Sequence, residues 1–97
     1  MADKYIRRSP ATAARELDGE TIVLSIPDST LFNLNATAGL IWAAADGLTG
    51  LRAIVEKIVA AFEVDAETAY RDALELVEEL ARHGILEVAD VPLGEAQ

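Results

Sequence analysis

The sequence predicts an α+β fold, with a three-stranded antiparallel sheet on the N-terminal side followed by three helices. Three observations predict it. Residues 12 to 34 alternate with period two and are interrupted at Asp18-Gly19 and Pro27-Asp28, residue types that turn strands. From Asn35 the apolar spacing becomes that of a helix and stays so to His83, with breaks near Gly47 and Asp65. Gly84 then stops the last helix ahead of a short extended "ILEV".

The basic N-terminal segment, residues 1–11, has no clear period and is expected to be flexible; the domain is expected to span 12–88. Its first strand covers about 12 to 17 and is joined through Asp18-Gly19, a strong two-residue hairpin signal, to the β-branched run Thr21 to Ile26. Ile22, Leu24 and Ile26 share one face of that second strand. After the Pro27-Asp28-Ser29 turn, a third strand at Thr30 to Leu34 places Phe32 and Leu34 on one face and Leu31 and Asn33 on the other.

Asn35 is a good N-cap for a small-residue helix holding Leu40, Ile41, Trp42 and Ala44 and ending at Asp46-Gly47. "LTG" reads as a loop. In "LRAIVEKIVAAF", Leu51, Ile54, Val55, Ile58, Val59 and Phe62 follow the i, i+3, i+4, i+7 spacing of an amphipathic helix, with Arg52, Glu56 and Lys57 on its wet side. The third helix starts at an Asp65 cap and runs to about His83. Residues 89–97, "ADVPLGEAQ", read as a frayed tail.

On the third helix Ala69, Ala73, Leu76 and Leu80 lie within an arc of about 60°, and Tyr70, Leu74, Val77 and Ala81 form a second stripe about 80–140° round from Ala69. The combined apolar arc, roughly 160°, exceeds the ~100° needed to face a core, so one margin is available to line a groove unless the domain wraps its longest helix more fully. Arg71, Glu75 and Glu78 border the Leu74 margin, and Asp72 and Glu79 border the other. The pattern alone leaves open which margin faces the groove.

Composition narrows the function classes. At 97 residues the chain has room for one domain and one modest core. Without cysteine it has no disulfide, thiolate metal site or thiol nucleophile. No apolar run approaches the ~20 residues that span a bilayer and no signal-peptide pattern opens the chain, so a soluble, cytoplasmic protein without membrane attachment is expected. Charge is uneven: residues 1–15 carry four basic groups against Asp3, and residues 16–97 carry four basic and sixteen acidic groups. So acidic a body disfavours nucleic acid, whose nonspecific affinity comes from Lys and Arg on phosphates, and favours a basic peptide or basic protein surface.

No catalytic set stands out. His83, the single histidine, sits at a helix C-terminus, where the dipole alone favours a cation. Glu78-Glu79 and the Asp72/Glu75 pair read as solvated helix surface, Trp42 and Phe32 as core, and "GLTG" lacks the length and Lys of a phosphate loop. Leu31 faces outward, either an ordinary exposed leucine or a contact at a groove edge. A protein with no enzyme activity of its own, no metal and no cofactor is expected.

The element order gives a winged helix-turn-helix-like outline with the sheet moved to the N-terminus, an outline that also fits a transcription regulator or a small regulatory interaction domain. Residues 65 to 83, however, hold only Arg71 and Arg82 against six acids, a poor DNA-reading helix. "FNLNATAGLIWAAADG" followed by "LRAIVEKIVAAFEVDAETAYRDALELVEELARHGILE" resembles the PqqD-like family of peptide chaperones, or RiPP recognition elements, over residues 15 to 88. The resemblance rests on Phe32, Leu34, Asn35, Ile41, Trp42, Asp46, Gly47, Ile54, Val64, Asp65, Asp72, Ala73, Leu76, Val77, Leu80, Gly84 and Leu86 in order. The chain departs from the pattern at Leu48 to Ala53, where the second helix begins.

The resemblance implies an accessory protein that holds the leader segment of a ribosomally made precursor peptide and presents it to a modifying enzyme, often a radical SAM protein. The leader is expected to add as a strand to Thr30, Leu31, Phe32, Asn33 and Leu34, over a groove whose helical side is assigned to Tyr70, Arg71, Leu74, Glu75 and Glu78. The expected partners are the precursor peptide and the modifying enzyme, with no nucleic acid and no membrane, and the expected state is a monomer or weak homodimer.

Overall fold

The computed structural model describes residues 3–93 and contains two three-stranded antiparallel sheets and three helices. The elements are β1 (Tyr5–Arg8), β2 (Thr12–Leu17), β3 (Glu20–Ser25), β4 (Thr30–Leu34), α1 (Ala36–Ala44), β5 (Asp46–Gly50), α2 (Leu51–Phe62), α3 (Ala66–Arg82) and β6 (Leu86–Ala89). The expected α+β arrangement of a three-stranded antiparallel sheet followed by three helices is present, with strand order β2-β3-β4. Asp18 and Gly19 both take positive φ, 52° and 81°, as the two-residue turn of a twisted hairpin requires. Val23 pairs with Phe32 and Leu24 with Leu31. Val23 and Leu34 are buried and Leu31 is 67% exposed, so Ile22 and Leu24 belong to the outer face of the sheet together with Leu31.

The second sheet, in the order β5-β1-β6, did not emerge from the sequence pattern. Tyr5–Arg8, expected within a flexible segment, is its central strand, and Ile6 is fully buried. The "LTG" stretch, expected as a loop, belongs to β5, where Asp46 accepts from the Leu48 and Thr49 N–H groups at 2.9 and 2.8 Å and holds the turn. Those two N–H groups keep the Asp46 carboxyl below its ordinary pKa. At the expected tail, Ala89 pairs with Tyr5 and the Leu93 N–H donates to the Gly47 carbonyl at 2.7 Å; the rest of the tail, residues 94–97, lies outside the described residues. β1, with Arg7 and Arg8, and the Lys4 just before it show no period two, because their charged groups serve neighbours at the surface. Arg7 pairs with Glu87, Lys4 pairs with Asp90, and Arg8 donates to the Trp42 and Ala43 carbonyls at the end of α1.

One core joins the two sheets to the helices. Ile6, Ile41, Leu51, Ile54, Val77 and Ile85 are fully buried in it, and Trp42 is 5% exposed. Asn35 caps α1 by accepting from the Ala38 N–H at 2.9 Å, and Gly39 lets that helix lie close to β3, since a Cβ there would meet the Thr21 hydroxyl at 2.7 Å. α2 has no side-chain cap of its own at Gly50. Its N-terminus is met by the Asp3 carboxylate, which accepts from the Arg52 N–H at 3.3 Å, and a Cβ on Gly50 would run into that carboxylate.

Candidate functional site

β4 is hydrogen-bonded to β3 alone and forms one edge of its sheet. In an antiparallel edge strand, alternate residues direct both N–H and C=O away from the partner, so β4 offers a short row of backbone donors and acceptors. α3 runs alongside. At one end the Phe32 ring lies 5.2 Å from the His83 ring, at the C-cap of α3. At the other end Asn35, just after β4, and Asp72 of α3 line one hollow of about 320 Å³. β4 and α3 are thus antiparallel walls that meet at Phe32 and His83 and open toward Asn35 and Asp72. The hollow is floored by apolar groups from all three helices, among them Ile41, Ile58, Ala73 and Leu76, with Phe62 and Val64 at its rim 40% and 43% exposed.

The helix places its cap and its margins by simple rules. Asp65 accepts from the Thr68 N–H at 3.0 Å and is held below its ordinary pKa by that bond, starting α3. Ala69, Ala73, Val77 and Leu80 are buried as the core stripe. On one side of this stripe Asp72 and Leu76 line the hollow beside β4. On the other side Tyr70 turns to the N-terminal segment: Arg52 stacks over its ring at 4.8 Å, and its hydroxyl donates to Asp3 at 3.5 Å. Burial first, and then the Asp3 carboxylate, push the Tyr70 phenol above its ordinary pKa.

The structure therefore brings together only part of the residue set expected from the sequence. Thr30, Leu31 and Asn33 are exposed on β4, Phe32 is half-buried against the core, and Leu34 is buried. Tyr70 and Arg71 line a separate hollow with Arg52 and Ala66, and Leu74 packs against the core on the same margin as Tyr70. Glu75 and Glu78 are exposed, and Glu78 is among the charges that raise the Lys4 pKa, after Asp90. Asp72 and Leu76 line the hollow with Asn35, the residue after β4, and with Phe62 and Val64 at its rim, while His83 meets Phe32 of β4. The signal that finds them in the sequence is the acid-bordered second margin of α3 together with the Asn35 cap. Among the described residues no group of three or more His, Cys, Asp or Glu is placed to hold a metal ion, and no helix is long and apolar enough to cross a membrane.

An α+β domain with an unpaired edge strand above a helix-lined apolar groove is built to accept an extended chain. The chain belongs to the PqqD family: residues 20–86 match the family described as coenzyme PQQ synthesis protein D. It is similar to the solved structure of TbiB1 in complex with the TbiA(beta) leader peptide, at 30% identity and a TM-score of 0.77, over 84% of this chain and 94% of that one. It is also similar in fold to lasso peptide synthetase B1 complexed with the leader peptide, at 23% identity and a TM-score of 0.72, over 84% of this chain and 96% of that one. No curated protein matches it.

Proposed function

We propose that this protein binds the leader segment of a ribosomally made precursor peptide as an added strand on β4 and presents the peptide to a modifying enzyme. The observation that carries the proposal is the pairing of a free β4 edge with the apolar hollow against α3, in a family whose 30% identical member TbiB1 is solved with a leader peptide. Backbone hydrogen bonds along β4 supply affinity, and alternate side chains of the added strand point into the groove, where the α3 wall sorts them. The protein holds the peptide and leaves bond-making to the receiving enzyme, a radical SAM protein in the form the resemblance implies. Its acidic surface keeps nucleic acid out of the partner set.

The test is an amide-resolved NMR titration of the labelled protein with the leader of a precursor encoded beside its gene. Perturbations concentrated in residues 30–34 and in the 72–83 stretch of α3 are the expected result. Saturable binding that shifts only α2 or the Tyr70 margin would overturn the site, and specific operator DNA binding would overturn the function.

A further inference from the structure

The α3 wall of the groove is acidic and apolar in turn. Asp72 and Leu76 line the hollow, His83 meets Phe32, and Glu79 falls on the same stripe of the helix between them. Arg71 and Arg82 project about 80–100° away from Asp72, so no cation of α3 itself sits beside Asp72 on the groove side, although Arg82 lies only about 60° from Glu79. Asp72 and Leu76 are one helical turn apart, a rise of about 6 Å. Alternate residues of an extended strand are separated by about 6.8 Å on one face. Two inward-facing side chains of an added strand therefore keep step with Asp72 and Leu76.

We infer that the β4 groove selects a peptide segment carrying Lys or Arg two positions from an apolar residue, the cation meeting Asp72 and the apolar side chain lying on Leu76. This rests on the strand-addition reading above and specifies its ligand. Glu79 adds to the same negative field, and the formal net charge of −9 draws a cationic segment toward the groove from a distance. An apolar wall without these acids would take any hydrophobic strand; Asp72 imposes a cost on acidic and uncharged segments and so acts on specificity.

The test uses a displayed library of short random peptides selected against the full chain, against Asp72→Lys and against Leu31→Pro, each variant first shown folded by its amide spectrum. The wild-type chain is expected to enrich Lys or Arg two positions from an apolar residue, and D72K is expected to enrich Asp or Glu at that place. A peptide selected on the wild type should bind D72K roughly threefold or more weakly, with the difference shrinking as salt is raised, and D72N should fall between. Selection without basic enrichment, or with the same enrichment on D72K, overturns the inference while leaving strand addition standing. Failure to enrich any peptide, or peptides that bind Leu31→Pro as well as wild type, overturns the strand-addition reading and the inference with it.

Discussion

The two margins of α3 differ in what meets them: the N-terminal segment reaches one, and the other faces an apolar hollow between the helices. Tyr70 is held from the N-terminal side, where Asp3 reaches its hydroxyl and the start of α2 and Arg52 stacks over the ring, and Leu74 packs against the core. Asp72 and Leu76 face a hollow that all three helices line and that reaches Asn35, the residue after the unpaired β4 edge. A helix does not decide which of its margins becomes a site; the segment that reaches it does. Here Asp3, the residue before Lys4, reaches one side.

The largest expected effect comes from the strand that follows Asp3. Ile6→Ala deletes a fully buried side chain from β1 and should cost about 2–5 kcal/mol in chemical denaturation. Equal stability would mean that β1 is dispensable to the core. Next is the β4 side. Leu31→Pro removes a backbone donor and distorts β4, and should weaken leader binding roughly tenfold or more by calorimetry, whereas Leu31→Ala, at a 67% exposed position, should weaken it far less. Similar losses from both would show that side-chain contact, and not strand pairing, carries affinity.

A paired substitution sharpens the contrast between margins. Leu76→Glu places a charge in the hollow and should weaken leader binding by more than about 1 kcal/mol. Leu74→Glu, on the Tyr70 margin, should show its effect in denaturation instead, with binding by the remaining folded protein unchanged. The reverse pattern would exchange the roles of the two sides. A smaller effect is expected for Asp3→Ala, which removes the carboxylate that meets the start of α2 and should cost about 1 kcal/mol of stability. No change would mean that water serves those N–H groups equally well.

These contrasts also locate what the sequence made legible. α2 at 51–62 and β4 at 30–34 emerge with the boundaries their patterns predict, because a strong amphipathic repeat and a turn-bounded alternation are local signals. The arc of α3 was equally legible, and so were its two margins. The choice between them was not: the pattern left both open, and the assignment made with the resemblance put Tyr70, Arg71 and Leu74 on the groove, while Tyr70 is held by Asp3 and Arg52. The Asp3 contact spans 67 positions in sequence and comes from the residues just ahead of β1, a strand whose charges hide its period. β5 was missed for the same reason, since "DGLTG" reads as a turn and becomes a strand only because Tyr5 and Arg7 pair with it. Leu31 outward and Phe32 inward followed from register alone.

The Tyr70 margin makes one more prediction, in pH, and it is the smallest. The Tyr70 phenol has its pKa raised above the ordinary value of 10.0, by burial first and by the Asp3 carboxylate second. Below that value the phenol is neutral in both the folded and unfolded chain, and its contribution to stability is intact. As pH rises past it, the unfolded chain ionises first, so the contribution is lost as pH climbs through the folded-state pKa. Wild-type protein should therefore lose stability more steeply in this alkaline window than Tyr70→Phe, which has no phenol to ionise. Phenolate absorbance, taken as the difference between the two proteins, should place the Tyr70 transition above 10.0, and Asp3→Asn should move it back toward that value. An alkaline profile that is the same with and without the Tyr70 hydroxyl would show that this margin is open to water, and the distinction between the two sides of α3 would then rest on β4 alone.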